Sequence, residues 1–537
     1  MIRTSGKTST RRHFLQTTGA VAATLSAVGR PYPLSAQSPK ALRFIAESDL
    51  RSLDPIWTTA YITNNYGYMV YDTLFALDSS FTPRPQMVER WTESADHLMY
   101  NFTLRGGLKW HDGEQVRPED CIASLQRWMS RDVLGQSMAQ AVAEMKPIGR
   151  QDFSIELKQP FPLLLEGLAK NATSAPFMMP ERVAKTPGNQ QITESIGSGP
   201  FKFVRSEWVP GNKAVFIKNE EYVPRRETPD WGSGAKIVKF DRVEWLYIPD
   251  SSTAANALVA GEVDWLQQVP TDLVPLLQSR KGVTVRKLDP LGYVGVLKFN
   301  HLQPPFNNEK VRQAVLQVVD QRDYMNVVAG DQANWRTCHS YYACGTPIST
   351  EVGAEAFSSS RDYAKARQLV AESGYKGEPA VVLDASDQPI AHGQALVTAD
   401  LLKKIGINVD LQTMDWATVT SRRVSREPTE RGGWSIYFTY TAATDTSPAV
   451  NTSLRANGTG GSFGWPTNEK VEELRARWLA APTLDERKRL GGEIQTEAFR
   501  FVSYIPTGQF QIPTAHRDNL EGIIGAPSLF MWNVDRK

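Results

Sequence analysis

The sequence predicts a mixed α/β protein of more than one domain, and three observations carry that prediction. The chain has 537 residues, 41% of them hydrophobic, enough to bury a sizeable core and to fill roughly two to four domains. Strand-like and helix-like spacing alternate along it. Tyr100, Phe102 and Leu104 alternate with Asn101, Thr103 and Arg105, whereas Val311, Val315, Val318 and Val319 fall on one helical face. No internal repeat and no long low-complexity linker separates the parts, so the α and β elements interleave.

The N-terminus reads as an export signal. Positions 1–36 hold Arg3, Lys7, Arg11, Arg12 and Arg30 with no acidic residue, and Arg11-Arg12 precede Phe14-Leu15 and a mildly apolar run rich in Ala and Thr. That is the pattern of a twin-arginine address. Gln16, Thr17, Thr18, Thr24 and Ser26 dilute the run, which is shorter than the roughly 20 apolar residues of a membrane span. Cleavage after Gly29 or Ala36 releases a protein with no cysteine near its start to be lipidated, hence a soluble periplasmic one. Lys+Arg total 60 against Asp+Glu 58. With the basic signal removed, no excess of positive charge remains for nucleic-acid binding.

Residues 104–128, LRGGLKWHDGEQVRPEDCIASLQRW, carry the inventory of a hydrolase or metal site. Their spacing is that of a hairpin leading into a helix. Gly106-Gly107 and Asp112-Gly113 are turn dipeptides around the short strand LKW, and Pro118 with Glu119 and Asp120 opens a helix. Cys121, Leu125, Trp128 and Met129 then share its buried face. Other catalytic signatures fail on context. The seven histidines form neither His-x-x-x-His nor His-Glu-x-x-His. GGSFG, residues 460–464, matches the nucleophile-elbow pattern around Ser462, but RANGTG precedes it and Trp465-Pro466 follows, which is loop and not strand–turn–helix. No motif for a cofactor is present. In an oxidising compartment Cys338 and Cys344 of CHSYYAC can close a disulfide, leaving Cys121 odd; the alternative makes Cys338, His339 and Cys344 metal ligands.

Read in order, SLDP (52–55), VYDTLF (70–75), the stretch 89–128, GSGPFKF (197–203), KNEEYV (218–223), 243–265, 297–321, ARQLVAESGY (366–375) and LLKKIGINVDLQTMDW (401–416) resemble the extracytoplasmic solute-binding proteins of ABC importers, family 5, the group of dipeptide, oligopeptide and nickel binders. The resemblance spans nearly all of the mature chain. It implies a two-lobed periplasmic binding protein fold (type II, cluster C-like) with an extra N-terminal subdomain and a ligand cleft between the lobes. Lobe I takes 37–74, 195–293 and 502–537, the appended subdomain 75–194, and lobe II 294–501. It further implies a monomeric receptor, without cofactor or catalysis, that closes on a small-molecule solute and docks on permease subunits at the inner membrane. An exported hydrolase or metal-binding protein using Ser462 or Cys338/His339/Cys344 is the alternative.

Family binding loops place the cleft at Trp57, Thr58 and Tyr61 after SLDP, and at the strand WSIYFTY with its following loop, where Trp434 and Tyr440 are candidate walls. Where peptide binders carry the aspartate that holds the α-amino group, this chain has Thr444, with Asp445 next. Where dipeptide binders carry a carboxylate-clamping arginine, DASDQPIAHGQ offers only Asp384 and Asp387. These departures point from a free dipeptide toward a small organic solute that is peptide-like or cationic or neutral.

Overall fold

Sheet order divides the molecule. The computed structural model describes residues 40–358 and 361–537; the expected export signal lies outside them. A first sheet has the spatial order Phe201–Phe203, Lys213–Lys218, Arg242–Leu246, Ala41–Ile45, Trp265–Leu266, Thr514–Arg517, Val283–Arg286. Ala41–Ile45 runs parallel to both Arg242–Leu246 and Trp265–Leu266, which aims three carboxyl ends the same way. The second sheet runs Trp335–Arg336, Ile505–Phe510, Tyr293–Phe299, Ile436–Ala442, Ala380–Ala385, Val409–Met414. Ala380–Ala385 is buried along its whole length, as a central strand covered on both faces must be.

Two boundaries differ from the sequence reading. The second sheet includes Tyr293 and Ile505–Phe510, which the sequence reading assigned to lobe I. Tyr293–Phe299 pairs antiparallel with Ile436–Ala442 on one side and Ile505–Phe510 on the other. The chain therefore completes lobe II before it returns to the first sheet at Thr514. A register shift between Gly295 and Val296 lets Pro506, which has no N–H to give, sit in that strand.

The subdomain holds a four-stranded antiparallel sheet, Val88–Glu93, Met99–Leu104, Asp152–Leu157, Val142–Pro147. Tyr100, Phe102 and Leu104 are buried while the residues between them are not, the period of two read from sequence. LKW forms only an isolated bridge, Lys109 to Gln115, around the Asp112-Gly113 turn. The helix Pro118–Arg131 starts as expected, with Pro118 in its first turn and Cys121 fully buried and free. The helix Glu309–Leu316 ends before Val318 and Val319, although both are buried.

His111 and its neighbours fasten the subdomain. One ring nitrogen of His111 lies 3.1 Å from the Gly199 carbonyl, and its backbone N–H donates to the Gly197 carbonyl at 2.8 Å. Burial pushes the imidazole down to about 4, so it stays neutral. Gly197 is obligatory, because a Cβ there would meet the Val70 carbonyl oxygen at 1.9 Å. The HDG and GSGP segments are thus two halves of one joint.

Candidate functional site

Three adjoining chambers lie between the lobes. The central one, about 70 Å3, is lined from the first lobe by Glu47, Tyr61, Asn64 and Gln268 and from the second by Tyr293 and Thr444. It shares Glu47, Gln268 and Ile512 as walls with a chamber of about 560 Å3, lined also by Tyr247, Val269, Gln388, Ile390 and Tyr440 among others. It shares Asn171, Ala172 and Thr444 with one of about 370 Å3 between subdomain and second lobe. That third chamber is mostly apolar, with Leu134, Leu163, Ile348, Val450 and Trp478 in its walls.

The chambers sit where parallel strands end. Glu47 follows Ala41–Ile45, Gln268 follows Trp265–Leu266, and Tyr247 follows Arg242–Leu246. Gln388 follows Ala380–Ala385, and Thr444 follows Ile436–Ala442, in the second sheet. Carboxyl ends of parallel strands, where loops diverge and leave a crevice, are the common place for ligands in open α/β sheets.

Of the residues singled out from sequence, Tyr61, Tyr440 and Thr444 line the cleft. Tyr61 also ties the lobes together: its hydroxyl oxygen accepts the Ala442 N–H at 2.7 Å. Its ring packs edge-on to Tyr293 at 5.9 Å, and Tyr293 packs edge-on to Tyr440 at 5.3 Å. Asp445 stands behind Thr444, half-buried, where its carboxylate accepts from Thr173 Oγ1 of the subdomain at 3.4 Å. Desolvation pushes its carboxyl up to about 6, opposed by the nearby Lys170 and reinforced by Asp132. Lys170 and Asp132 are themselves ion-paired.

Four expected residues lie elsewhere. Trp434 is 0% exposed, packed on Tyr437 and Trp465 in the core of the second lobe: it precedes the strand end that opens to the cleft, so it cannot be a wall. Trp57 turns to the subdomain, its ring under the Arg131 guanidinium at 4.9 Å. Thr58 accepts the Ala60 N–H within a local turn. Asp387 is exposed and accepts the Trp416 N–H at 2.6 Å, while its neighbour Gln388 faces the cleft.

Sequence reasoning missed Glu47, Asn64, Asp289 and Tyr293. Glu47 could have been found from its place just past the first strand; the others carry no local signal. Gln268 Nε2 donates to Glu47 at 2.7 Å, and desolvation pushes the Glu47 carboxyl up to about 7. Asp289 accepts the Leu291 N–H at 2.8 Å through Oδ1, and desolvation outweighs its backbone hydrogen bonds, raising it to about 6.

The alternative chemistry finds little support. Cys338 and Cys344 are joined as a disulfide, so their sulfurs are not thiolate ligands. Among the described residues no group of three or more His, Cys, Asp or Glu is arranged to hold a metal ion. Ser462 lies in the irregular stretch after Gly458–Gly460 and accepts from the buried Lys298 Nζ at 2.8 Å. Among the described residues no helix is long and apolar enough to cross a membrane.

Comparison with known proteins decides the family. Residues 82–463 match the family described as "Bacterial extracellular solute-binding proteins, family 5 Middle". The chain belongs to family 5 of these solute-binding proteins. A probable peptide ABC transporter periplasmic-binding protein of Sinorhizobium fredii is 38% identical over 500 residues, 93% of each chain. The glutathione-binding protein of Salmonella choleraesuis is 26% identical over 493 residues, 88% of this chain and 90% of its own. Among solved structures, a dipeptide-binding protein from Pseudoalteromonas in complex with Met-Leu superposes with a TM-score of 0.75 at 19% identity, covering 93% of this chain and 100% of that one. An agropinic-acid complex from A. tumefaciens R10 gives the same TM-score and identity, over 93% and 99%. This family 5 chain therefore has the two-lobed binding-protein fold and is the solute-binding component of an ABC importer.

Proposed function

We propose that the chain is exported by the twin-arginine route to the periplasm, where as a monomer it closes its lobes on a small organic solute. The solute is peptide-like, or otherwise cationic or neutral. The closed form then hands it to the permease subunits, without turnover and without a cofactor. The observation that carries this reading is the run of three adjoining chambers walled by both lobes at the carboxyl ends of their parallel strands. Tyr61, Tyr440 and Thr444 supply walls with polar tips, Asp445 supplies charge from behind, and the third chamber has room for an apolar side group.

The test combines native mass spectrometry of gently purified protein with thermal shift against a panel of dipeptides, tripeptides and amines. Saturable stabilisation is expected, about 2.7 kcal/mol at a hundredfold excess over the Kd, with the protein recovered outside the inner membrane and retained in the cytoplasm when Arg11 and Arg12 become Lys. Chemical conversion of a panel compound without saturable stabilisation overturns the receptor reading.

A further inference from the structure

We infer that the central chamber is a subsite for a protonated amine, held by Glu47, Asp289 and Asn64 inside a frame of tyrosines. The inference rests on the receptor reading above and names the chemical class of its solute.

Charge is the first ground. The ionisable side chains that line the central chamber, tyrosines aside, are Glu47 and Asp289, and no Lys, Arg or His lines it. The adjoining larger chamber adds Asp272 and again no cation, and the cations of the third chamber, Lys170 and Arg487, are already paired with Asp132 and Glu166. Neither Glu47 nor Asp289 has an ion-pair partner among the described residues. Both carboxyls are pushed up by desolvation, so the cleft as it stands disfavours their charge, and an incoming cation is the partner that would restore it.

Unused hydrogen-bonding capacity is the second, independent ground. Asn64 is 4% exposed and lines the chamber, yet its Oδ1 has no hydrogen-bond partner. Asp289 Oδ2 is likewise buried and unpartnered. Buried polar atoms are rarely left so, and both atoms are acceptors that call for a donor. An ammonium group carries three donors and one positive charge. A carboxylate or phosphate would find amide and hydroxyl donors but no cation, and would face the two carboxyls. The Tyr61 and Tyr293 rings line the same space, and aromatic faces suit a cation.

The test uses a casein hydrolysate supplemented with putrescine, offered to the full mature protein either untreated or after exhaustive N-acetylation, with retained compounds identified by mass spectrometry and arginine-containing peptides set aside. At least tenfold more retention from the untreated mixture is expected, and at least a tenfold loss in E47Q combined with D289N, provided circular dichroism shows that variant folded. The comparison in the unmutated protein stands alone if the variant does not fold. Equal retention of acetylated compounds overturns the amine subsite while leaving the receptor reading intact. Retention of nothing from either mixture overturns the inference together with the peptide-like reading on which it rests.

Discussion

Asp445 and Trp434 show how one segment serves two purposes. Both belong to the stretch that begins at Trp434, but the strand Ile436–Ala442 starts deep in the second lobe and ends at the cleft. Position along it therefore decides whether a side chain builds the core or the site. Asp445 bridges the second lobe to Thr173 beside the Lys170–Asp132 pair. Asp445→Asn is expected to weaken solute binding at least about tenfold, equivalent to roughly 1.4 kcal/mol, while moving the melting temperature of the empty protein by only a few degrees. Titration calorimetry with the best panel compound, beside a melting curve, checks both halves. Unchanged affinity would confine Asp445 to joining the domains.

Among elements, the start of the helix Pro118–Arg131 shows what structural work an acidic stretch near a histidine performs. Asp120 is 2% exposed. Its carboxylate accepts the Arg117 N–H at 2.8 Å, the Trp110 indole N–H at 3.2 Å and the Glu181 N–H at 2.7 Å, and Arg117 pairs with it as well. One side chain thus closes the helix N-terminus, the preceding hairpin and the following segment. Asp120→Ala strands several buried donors, so a loss of about 2 to 4 kcal/mol of stability is expected. Chemical denaturation measures it, and solute affinity in the folded fraction should stay within about twofold, which an acid of a reactive site would not allow.

The whole molecule inherits a pH dependence from its cleft. Glu47, Asp289 and Asp445 all have carboxyls raised by desolvation, to about 7, 6 and 6. A raised acid binds its proton more tightly in the folded state than in the unfolded chain, where such groups titrate near 4. Between those values the folded state holds more protons, so the slope of stability against pH is negative. His111, His301 and His516 are held below their usual range by desolvation and act in the opposite sense over the same interval, so the carboxyls are read by difference. Between about pH 5 and 7.5 the melting temperature of the solute-free protein is expected to fall more, or rise less, than that of E47Q combined with D289N, and saturation with an amine solute should narrow the difference. Parallel profiles of the two proteins, in calorimetry of ligand-stripped material, would contradict the placement of Glu47 and Asp289.

The sequence by itself determined the α/β class, the family, the buried face of the helix after the HDG turn, and a pairing of Cys338 with Cys344 that the structure contains. The class and the helix face are written in short-range spacing, in periods of two and 3.6, turn dipeptides and a proline at a helix start, whereas the family was read from the resemblance of its ordered segments. It also pointed to Tyr61, Tyr440 and Thr444, which line the interlobe chambers, since the ends of strands and the loops after them can be read locally. The tertiary structure alone decided which residues face one another. Glu47, Asn64, Asp289 and Tyr293 come from segments far apart in sequence and meet only because two sheets aim their strand ends at a common cleft. It also withdrew Trp434 into the core and turned Trp57, Thr58 and Asp387 to local partners. The physical reason is that a cleft's character is set by desolvation and by which charges are left without partners, and both are properties of the assembled surroundings rather than of any residue type.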